Sequence, residues 1–161
     1  MNRAVLIGFG VAGVALLLGR RRDVLDDVEA LARVITSEAN GYSESERVAI
    51  AWTVRNRALR RGVSIAKLVC SPTCGPCCNG RPFSSARDAT AANRELARRV
   101  LAEPPVADPT NGATAFFEPS VQDVLVSQKR PGYRFTSDQL RQRWRRDGQP
   151  PRGTVGAFEF W

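Results

Sequence analysis

The chain has no histidine, so the chemistry it can do is restricted at once. Ser–His and Cys–His nucleophile pairs are excluded, as are zinc sites that need imidazole, including the usual metallopeptidase patterns. Carboxylates, Lys, Tyr, Ser and a thiolate-only metal site remain. Among the carboxylates, Glu38 occupies an unusual place. Val28, Leu31 and Ile35 recur at helical spacing, and Glu38 falls on the same apolar stripe. Burial disfavours the charged form of a carboxyl group and raises its pKa, which prepares a Glu to donate a proton near neutral pH. The competing reading is a Glu at a frayed helix end, turned to solvent, and spacing alone leaves both open. Glu46 has a structural task instead, because Ser43 and Glu46 form a capping box for the next helix.

The four cysteines, Cys70, Cys74, Cys77 and Cys78, are the other group with chemical potential. The spacing C-x3-C-x2-C-C is compatible with two local disulfides, with zinc held by thiolates, or with free thiols. Adjacent Cys77 and Cys78 fit one tetrahedral site poorly, and the usual pair of separated C-x-x-C knuckles is missing. These cysteines are weak metal candidates, and no cofactor is expected. Disulfides would imply an oxidising compartment or an extracellular particle.

The elements that must position these residues follow in chain order. At 161 residues, the length suits one domain with a core and not two. A net charge of +8 and an isoelectric point near 10.3 favour a polyanionic partner: nucleic acid, an acidic membrane surface or an anionic wall polymer. Residues 4–19 form an uncharged apolar run bracketed by Arg3 and Arg20-Arg-Arg22. The run is slightly short for a bilayer core, but flanking arginines can snorkel. A signal peptide lacks support, because no small-x-small cleavage pattern precedes the arginines and the heavier positive charge follows the run. A buried core helix would show a polar face and fewer glycines. Residues 1–22 therefore read as an uncleaved membrane anchor, and the positive-inside rule puts residues 23–161 on the cytoplasmic side.

A first soluble helix is expected over 23–37, with Asp23, Asp26, Asp27 and Glu29 suiting its N-terminal dipole and Gly41 stopping the chain. The helix after Ser43 should bury Val48, Ala51 and Trp52, with Val54 and Ala58 near the edge. Arg55, Arg57, Arg60 and Arg61 should face solvent or substrate, and Asn56 reads as a surface residue. A short helix is expected within 63–69, then a loop to about Pro82. A helix follows over 86–103, with Ala89, Ala92, Leu96 and Val100 as its core stripe and Pro104-Pro105 as its stop. Asp108-Pro-Thr-Asn-Gly112 is a strong turn signal. An extended stretch over 113–117, a short helix over 120–127, and a basic amphipathic helix from a Ser137 cap to Asp147 come next, the last anchored by Leu140 and Trp144. Residues 154–161 read as a final extended segment. Arg141, Arg143, Arg145 and Arg146 could meet nucleic acid, but such a run is more often a solvated face, and no dinucleotide or phosphate-loop pattern is present.

Several blocks carry a resemblance. Glu38-Ala-Asn-Gly41, followed by Val48-Ala-Ile-Ala-Trp-Thr-Val-Arg-Asn-Arg57, resembles the signature of the spore-cortex-lytic cell wall hydrolase family, in which a Glu-Ala-Arg-Gly-type turn precedes a helix ending in Asn-Arg. Pro82-Phe-Ser84 is similar to that family's phenylalanine–serine element. Leu96-Ala-Arg-Arg-Val-Leu101 and Asp108-Pro-Thr-Asn-Gly-Ala-Thr-Ala-Phe-Phe-Glu-Pro119 resemble its Asp-Pro-Thr-Gly-Gly-Ala-Thr-His-Phe-Tyr-Asn-Pro block. Gly153-Thr-Val-Gly-Ala-Phe-Glu-Phe-Trp161 resembles its closing Ile-Gly-Asn-His-x-Phe-Tyr. The blocks span roughly residues 30–161 in the family's order. Ala115 and Phe158 stand where the family usually has histidines, Asn40 replaces an Arg, and Glu118 replaces an Asn.

The resemblance implies a mainly α, lysozyme-like helical domain with a small β element and a peptidoglycan cleft. It implies cleavage of the MurNAc–GlcNAc glycosidic bond, typically by a lytic transglycosylase, with Glu38 as the catalytic acid and base. Such chemistry needs no second carboxylate, because the nucleophile is the MurNAc 6-hydroxyl; hydrolysis would require one. The candidates for that partner are Asp108, Glu118, Glu44 and Asp88, of which Asp108 is better explained as the cap of its own turn. Thr110, Asn111, Gly112 and Ala113 could line the cleft with backbone groups, and Asn40 could join them. Phe116, Phe117 and Tyr133 could stack on sugar faces, although aromatics at such spacing are more often core, and Glu118 follows the Phe116-Phe117 pair. Arg55 or Arg57 could meet lactyl or peptide carboxylates. The expected partners are peptidoglycan glycan strands, a membrane through residues 4–19, and virion proteins if the chain is a phage component. The virion setting would resolve the conflict between a cytoplasmic domain and a wall substrate. Two other readings stand beside this one. The first is a non-catalytic wall-binding or virion structural protein that keeps the fold, and the second a membrane-tethered nucleic-acid binder favoured by charge alone.

Overall fold

The apolar stripe of the first soluble helix finds its partner in the helix that follows the Gly41 turn, and this pairing sets the architecture. A computed structural model of the chain describes residues 27–69, 87–102 and 105–161. The apolar run at 4–19, the cysteine cluster and the Pro82-Phe-Ser84 block lie outside the described residues. Helix α1 covers 27–39, α2 Glu44–Arg61, α3 Ile65–Leu68 and α4 Ala91–Leu101. Strand β1 (Phe116–Phe117) precedes α5 (Pro119–Ser127) and α6 (Ser137–Arg146), and β2 (Gly153–Val155) and β3 (Phe158–Phe160) close the chain. The described part is mainly helical, with one small three-stranded sheet in the order β1-β3-β2. Both pairings are antiparallel, with Phe116 opposite Phe160 and Val155 opposite Phe158. Among the described residues, no helix is long and apolar enough to cross a membrane.

Helix α2 is the spine. Its start is fixed as the sequence indicates: the Ser43 hydroxyl accepts from the Glu46 N–H, and the Glu46 carboxylate accepts from the Ser43 N–H at 2.9 Å. Its end is a left-handed Gly62, φ 62°, the usual helix stop. One side packs into the larger core, where Ala51, Trp52, Val54 and Ala58 meet Leu31, Val34 and Ile35 of α1, Ile65 and Leu68 of α3, and Leu96, Ala97 and Val100 of α4. Another side contributes Ala49 and Ile50 to a smaller core with Ala39, Ala113, Phe158 and Phe160. Burial therefore extends around more of α2 than one stripe. Val54, assigned to the edge, is fully buried, and Val48 is only half-buried.

Four boundaries differ from the sequence expectation, each for a local reason. Helix α1 runs on to residue 39, because Ala39 is fully buried in the smaller core and keeps the last turn helical. Helix α4 starts at Ala91, not 86, since the Thr90 hydroxyl caps it by accepting from the Asn93 N–H. Its buried stripe is consequently Asn93, Leu96, Ala97 and Val100, and Ala92 is exposed. Thr136, not Ser137, caps α6, in a second capping box with Gln139. The final segment is a hairpin and not one extended strand, because the chain turns at Gly156, φ 56°.

That turn is bound to the start of α2. Glu46 Oε1 accepts from the Ala157 N–H at 2.9 Å, while Oε2 accepts from the Ser43 hydroxyl at 2.6 Å. One carboxylate thus caps the helix and anchors the hairpin. A Cβ on Gly156 would lie 2.1 Å from Glu46 Oε1 and 2.6 Å from its Cγ. Gly62 shares the left-handed backbone but has nothing within 4 Å. Gly62→Ala should therefore cost only the left-handed penalty, about 1 kcal/mol. Gly156→Ala should cost about 3 kcal/mol, because it adds displacement of a multiply bonded carboxylate. Chemical denaturation of the two variants side by side tests this, and equal losses would contradict the fastening role of Glu46.

Candidate functional site

Glu38 is half-buried in the last turn of α1, directly before Ala39, whose side chain is enclosed by the smaller core. The chain reverses there through Gly41, φ 98°, with the Tyr42 N–H donating to the Ala39 carbonyl at 3.2 Å. This tight turn returns Tyr42 onto the sheet. Its ring meets Phe158 edge-on at 4.7 Å, and Phe158 meets Phe116 edge-on at 5.7 Å. The Tyr42 hydroxyl donates to Glu118, which also accepts from the Ser120 hydroxyl at 3.0 Å. The hydrogen bond to Glu118, with burial and the nearby carboxylate charges, pushes the Tyr42 phenol up to about 12. It therefore remains a proton-bearing donor throughout the physiological range. The fold thus gathers Glu38, Tyr42, Phe116, Glu118 and Phe158 at the end of the sheet nearest the start of α2.

The Asp108 turn is held at the other end. The half-buried Asn56 amide donates to Asp108 Oδ2 at 2.9 Å, to the Thr110 hydroxyl at 3.4 Å and to the Ala113 carbonyl at 3.2 Å. Asp108 also accepts from the Thr110 N–H and hydroxyl and from the Gly112 N–H. Burial pushes the Asp108 carboxyl up, but these donors together hold it below the ordinary Asp range. Asp108 caps its turn, as its place in the sequence indicates. The chain passes through left-handed Asn111 and Gly112, φ 52° and 79°.

The expected substrate residues accordingly divide. Asn40 is exposed in the Glu38 turn, and Phe116 and Glu118 are half-buried at the same end. Thr110 and Ala113 are buried with their polar groups turned inward, whereas Asn111 and Gly112 are exposed. Arg57 is half-buried and donates to the Thr114 carbonyl at 3.3 Å. Arg55 faces the larger core instead, donating to the Val100 carbonyl at 2.7 Å and lying over the Trp52 ring. Phe117 belongs to the packing, at 5.4 Å from Trp144. Tyr133 is exposed in the loop between α5 and α6, and no described contact joins it to Glu38. Glu46 and Asn56, which mark the two ends, are about 15 Å apart along α2.

The two positions where the resemblance leads to histidine have distinct environments. Phe158 is buried between Tyr42 and Phe116, so an apolar ring fills that space. Ala115 is half-buried, and its backbone exchanges hydrogen bonds with Trp161. The possible second carboxylates are engaged elsewhere. Glu44 pairs with Arg99 and Asp88 with Arg33; only Glu118 approaches the Glu38 turn, through Tyr42. The described residues contain no cluster that could hold a metal ion.

Sequence reasoning missed Tyr42 and treated Asn56 as a surface residue. For Asn56 the signal was a weak helix former deep inside a strong helix, a placement that asks for a side-chain partner. Tyr42 carried no comparable signal, since its partner is far along the chain. Comparison with family models, curated proteins and solved structures finds no match to this chain.

Asn56→Ala should destabilise the fold by about 2 kcal/mol, because the Asp108 carboxylate loses a donor. The pH dependence has a definite sign. A carboxyl held below its ordinary pKa adds stability above the unfolded value, and that contribution disappears as pH falls through the folded one. Asp108→Asn should thus be clearly less stable than wild type at pH 7, and the gap should close below about pH 4. Thermal melts from about pH 2 to about pH 7, an interval that brackets the carboxylate range, provide the check.

Proposed function

We propose that this chain is a peptidoglycan-cleaving lytic transglycosylase of the spore-cortex-lytic cell wall hydrolase type, with a lysozyme-like domain and Glu38 as its single acid/base. The observation that carries this reading is the setting of Glu38: half-buried at a helix end, directly before Ala39, which is enclosed in a small core with Phe158 and with Tyr42 packed against it. The sequence blocks that resemble the family supply the chemical context.

In this mechanism protonated Glu38 gives its proton to the glycosidic oxygen as the C1–O bond breaks, and the bonding pair leaves with that oxygen. The MurNAc 6-hydroxyl oxygen attacks C1, and its proton passes to the Glu38 carboxylate. The products are a new 4-hydroxyl and a 1,6-anhydro ring, no water is consumed, and Glu38 ends protonated as it began. General acid–base work of this kind contributes roughly 10²- to 10⁴-fold. Tyr42, whose one hydroxyl proton is given to Glu118, is suited to accept a hydrogen bond from a sugar hydroxyl through its oxygen. An uncleaved anchor at residues 1–22 and the strongly basic charge suit a component of the bacterial envelope or of a phage virion that reaches the wall during entry or lysis.

Two observations favour specific alternatives. Glu118, drawn towards the Glu38 turn by Tyr42, would be the second carboxylate of a hydrolytic muramidase. Phe158, filling a place where the family has histidine, favours a non-catalytic wall-binding or virion structural protein. Digestion of purified peptidoglycan, read by mass spectrometry, separates the three. Anhydro-MurNAc ends are expected from the wild type. Glu38→Gln should lower their formation by about 10³-fold, and Glu118→Gln by no more than about tenfold, the scale of one lost neutral hydrogen bond. Reducing ends that vanish with Glu118→Gln would establish hydrolysis. A folded protein that binds wall and yields no products would establish the structural reading.

A further inference from the structure

Helix α5 carries four Val or Leu residues among nine, yet none of its residues is buried. Gln122 and Asp123 mark the side it turns to the start of α6. Gln122 Nε2 donates to the Phe135 carbonyl at 2.6 Å, and the Asp123 carboxylate accepts from the Ser137 N–H at 2.6 Å and its hydroxyl at 2.8 Å. By helical spacing Val121 and Val124 fall on the other side, and they are 43% and 51% exposed. The chain then makes a tight tip in which residues 127–135 are exposed without interruption. Lys129 is left-handed, φ 53°. The Arg130 N–H returns to the Leu125 carbonyl at 3.0 Å, and the Tyr133 N–H donates to the Arg130 carbonyl at 3.2 Å. Pro131 and left-handed Gly132, φ 91°, are the central pair of that last turn, the residues a type II turn favours. The tip is therefore shaped by its own backbone.

Its composition is what calls for a partner. Lys129, Arg130 and Arg134 are interleaved with Tyr133 and Phe135, and no Asp or Glu occurs between Asp123 and Asp138. None of the three cations has an ion pair among the described residues. The flanking acids are engaged elsewhere, Asp123 with Ser137, Asp138 with Arg141 and Asp147 with Arg143. A single exposed apolar side chain needs no explanation. Two exposed aromatic rings in one short turn, beside an uncovered valine face, do. A second copy of this chain would set the cations against their own equivalents across a two-fold axis, with no acid in the tip to offset them. A glycan would leave Val121 and Val124 uncovered, and one face of Phe135 is already taken by Arg143, whose guanidinium carbon lies 5.2 Å from the ring centroid. An anionic lipid surface suits every group. It attracts Lys and Arg, holds Tyr rings at headgroup level, and admits Phe and aliphatic side chains to the acyl boundary. A planar partner also does not require the cations to converge on a point. It requires one projecting segment that carries them.

We propose that the tip of the α5–α6 hairpin is a membrane-surface anchor, in which Lys129, Arg130 and Arg134 meet the phosphates of an anionic lipid layer and Tyr133 and Phe135 enter its interface. The inference goes beyond the proposed function and needs no part of the glycosidase reading. It is also distinct from any contribution of residues 4–19, which the test holds constant.

The test uses the full chain with Tyr133→Trp as a reporter, the unsubstituted chain supplying the background of the other tryptophans. The probes are vesicles of brominated phosphatidylcholine, with or without about one third phosphatidylglycerol. The added tryptophan should shift to the blue and be quenched on the anionic vesicles, and much less on the zwitterionic ones. About 0.5 M salt should reverse most of the effect. In the reporter background, Lys129→Gln/Arg130→Gln/Arg134→Gln should lower the anionic preference roughly 10- to 100-fold, with a thermal melt close to that of the reporter alone. Arg60→Gln/Arg61→Gln/Arg87→Gln, which removes the same charge from exposed sites outside the hairpin, should keep the preference. Every protein compared retains residues 4–19, so binding through that run cannot produce these differences. No quenching of the reporter on anionic vesicles would overturn the proposal, as would equal quenching on both vesicle types. Equal losses in the two triple variants would assign the effect to net charge and overturn the tip as its source. A reporter shift produced by purified peptidoglycan but not by vesicles would replace the membrane with the wall. A shift that grows with protein concentration alone would replace it with a second copy. Glu38→Gln should leave all of these readings unchanged, so failure of the glycosidase reading is separable from failure of this one.

Discussion

The amide of Asn56 is the constraint on which the sheet side of the molecule depends. It projects from the middle of a long helix and satisfies a carboxylate, a hydroxyl and a carbonyl of one turn. Without it, Asp108 would have only its own turn to bind. With it, the turn is fixed to α2, and the chain leaving that turn must run alongside the helix. Ala113 enters the smaller core, Thr114 and Ala115 pair with Trp161, and Phe116 reaches β3 in register. Ten residues earlier on the same helix, Glu46 grips the hairpin turn through Ala157. The sheet is too small to be stable alone, so these two polar side chains act as its frame.

The same logic holds on the helical side. Thr36, Asn93 and Arg47 form a chain of hydrogen bonds between α1, α4 and α2, with Asn93 Nδ2 donating to Thr36 and Arg47 donating to Asn93 Oδ1. Thr36 and Asn93 are nearly fully buried. Apolar packing in the larger core would tolerate some sliding of one helix along another. A buried polar pair tolerates little, because separation leaves its donors and acceptors unpaired. The position of Glu38, two residues after Thr36, is therefore set by a register and not only by hydrophobic burial.

What was legible in the sequence was local. The stripe of α1, the capping box at Ser43, the Asp108 turn and the order of the helices each depend on residues a few positions apart. Most errors arose where distant residues decide, and two where a local cap was misplaced by a few residues. Val54 is buried because α1, α3 and α4 all reach α2, and periodicity in one segment cannot count its neighbours. The helix start at Ala91 depends on Thr90, a cap with fewer cues than the Ser43 box. Residues 154–161 looked uniformly extended because the hairpin turn, Gly156-Ala157, is defined by contact with Glu46 across most of the chain. In the candidate site, Glu38 stands out in the sequence by its place on the stripe, while Tyr42 and Asn56 became visible only with their partners Glu118 and Asp108. Phe117 takes the core place that aromatics at such spacing more often have, and Thr110, expected to offer backbone groups to a cleft, is a buried turn residue.

A chain without histidine must divide its carboxylates between holding the fold and doing chemistry. Here the structural demand is heavy. Glu29 binds Arg94 and Arg33, Glu46 caps and fastens, Asp108 organises a turn, Asp123 receives the start of α6, and Glu159 pairs with Arg141. Glu29, Glu46, Asp108 and Asp123 are stabilised as anions by their donors, which makes them poor proton donors near neutral pH. An acid/base needs the opposite environment: partial burial against apolar and aromatic groups and freedom to exist in both protonation states. Glu38 directly precedes Ala39, which packs in the small core with Phe158 and Phe160, and Tyr42 of the same turn, which binds Glu118, is a phenol that stays protonated. A reaction whose nucleophile belongs to the substrate makes the smallest demand on such a chain. It asks for one carboxyl group able to take both protonation states, and this is the physical argument for the proposed transglycosylase chemistry over a mechanism with two carboxylates.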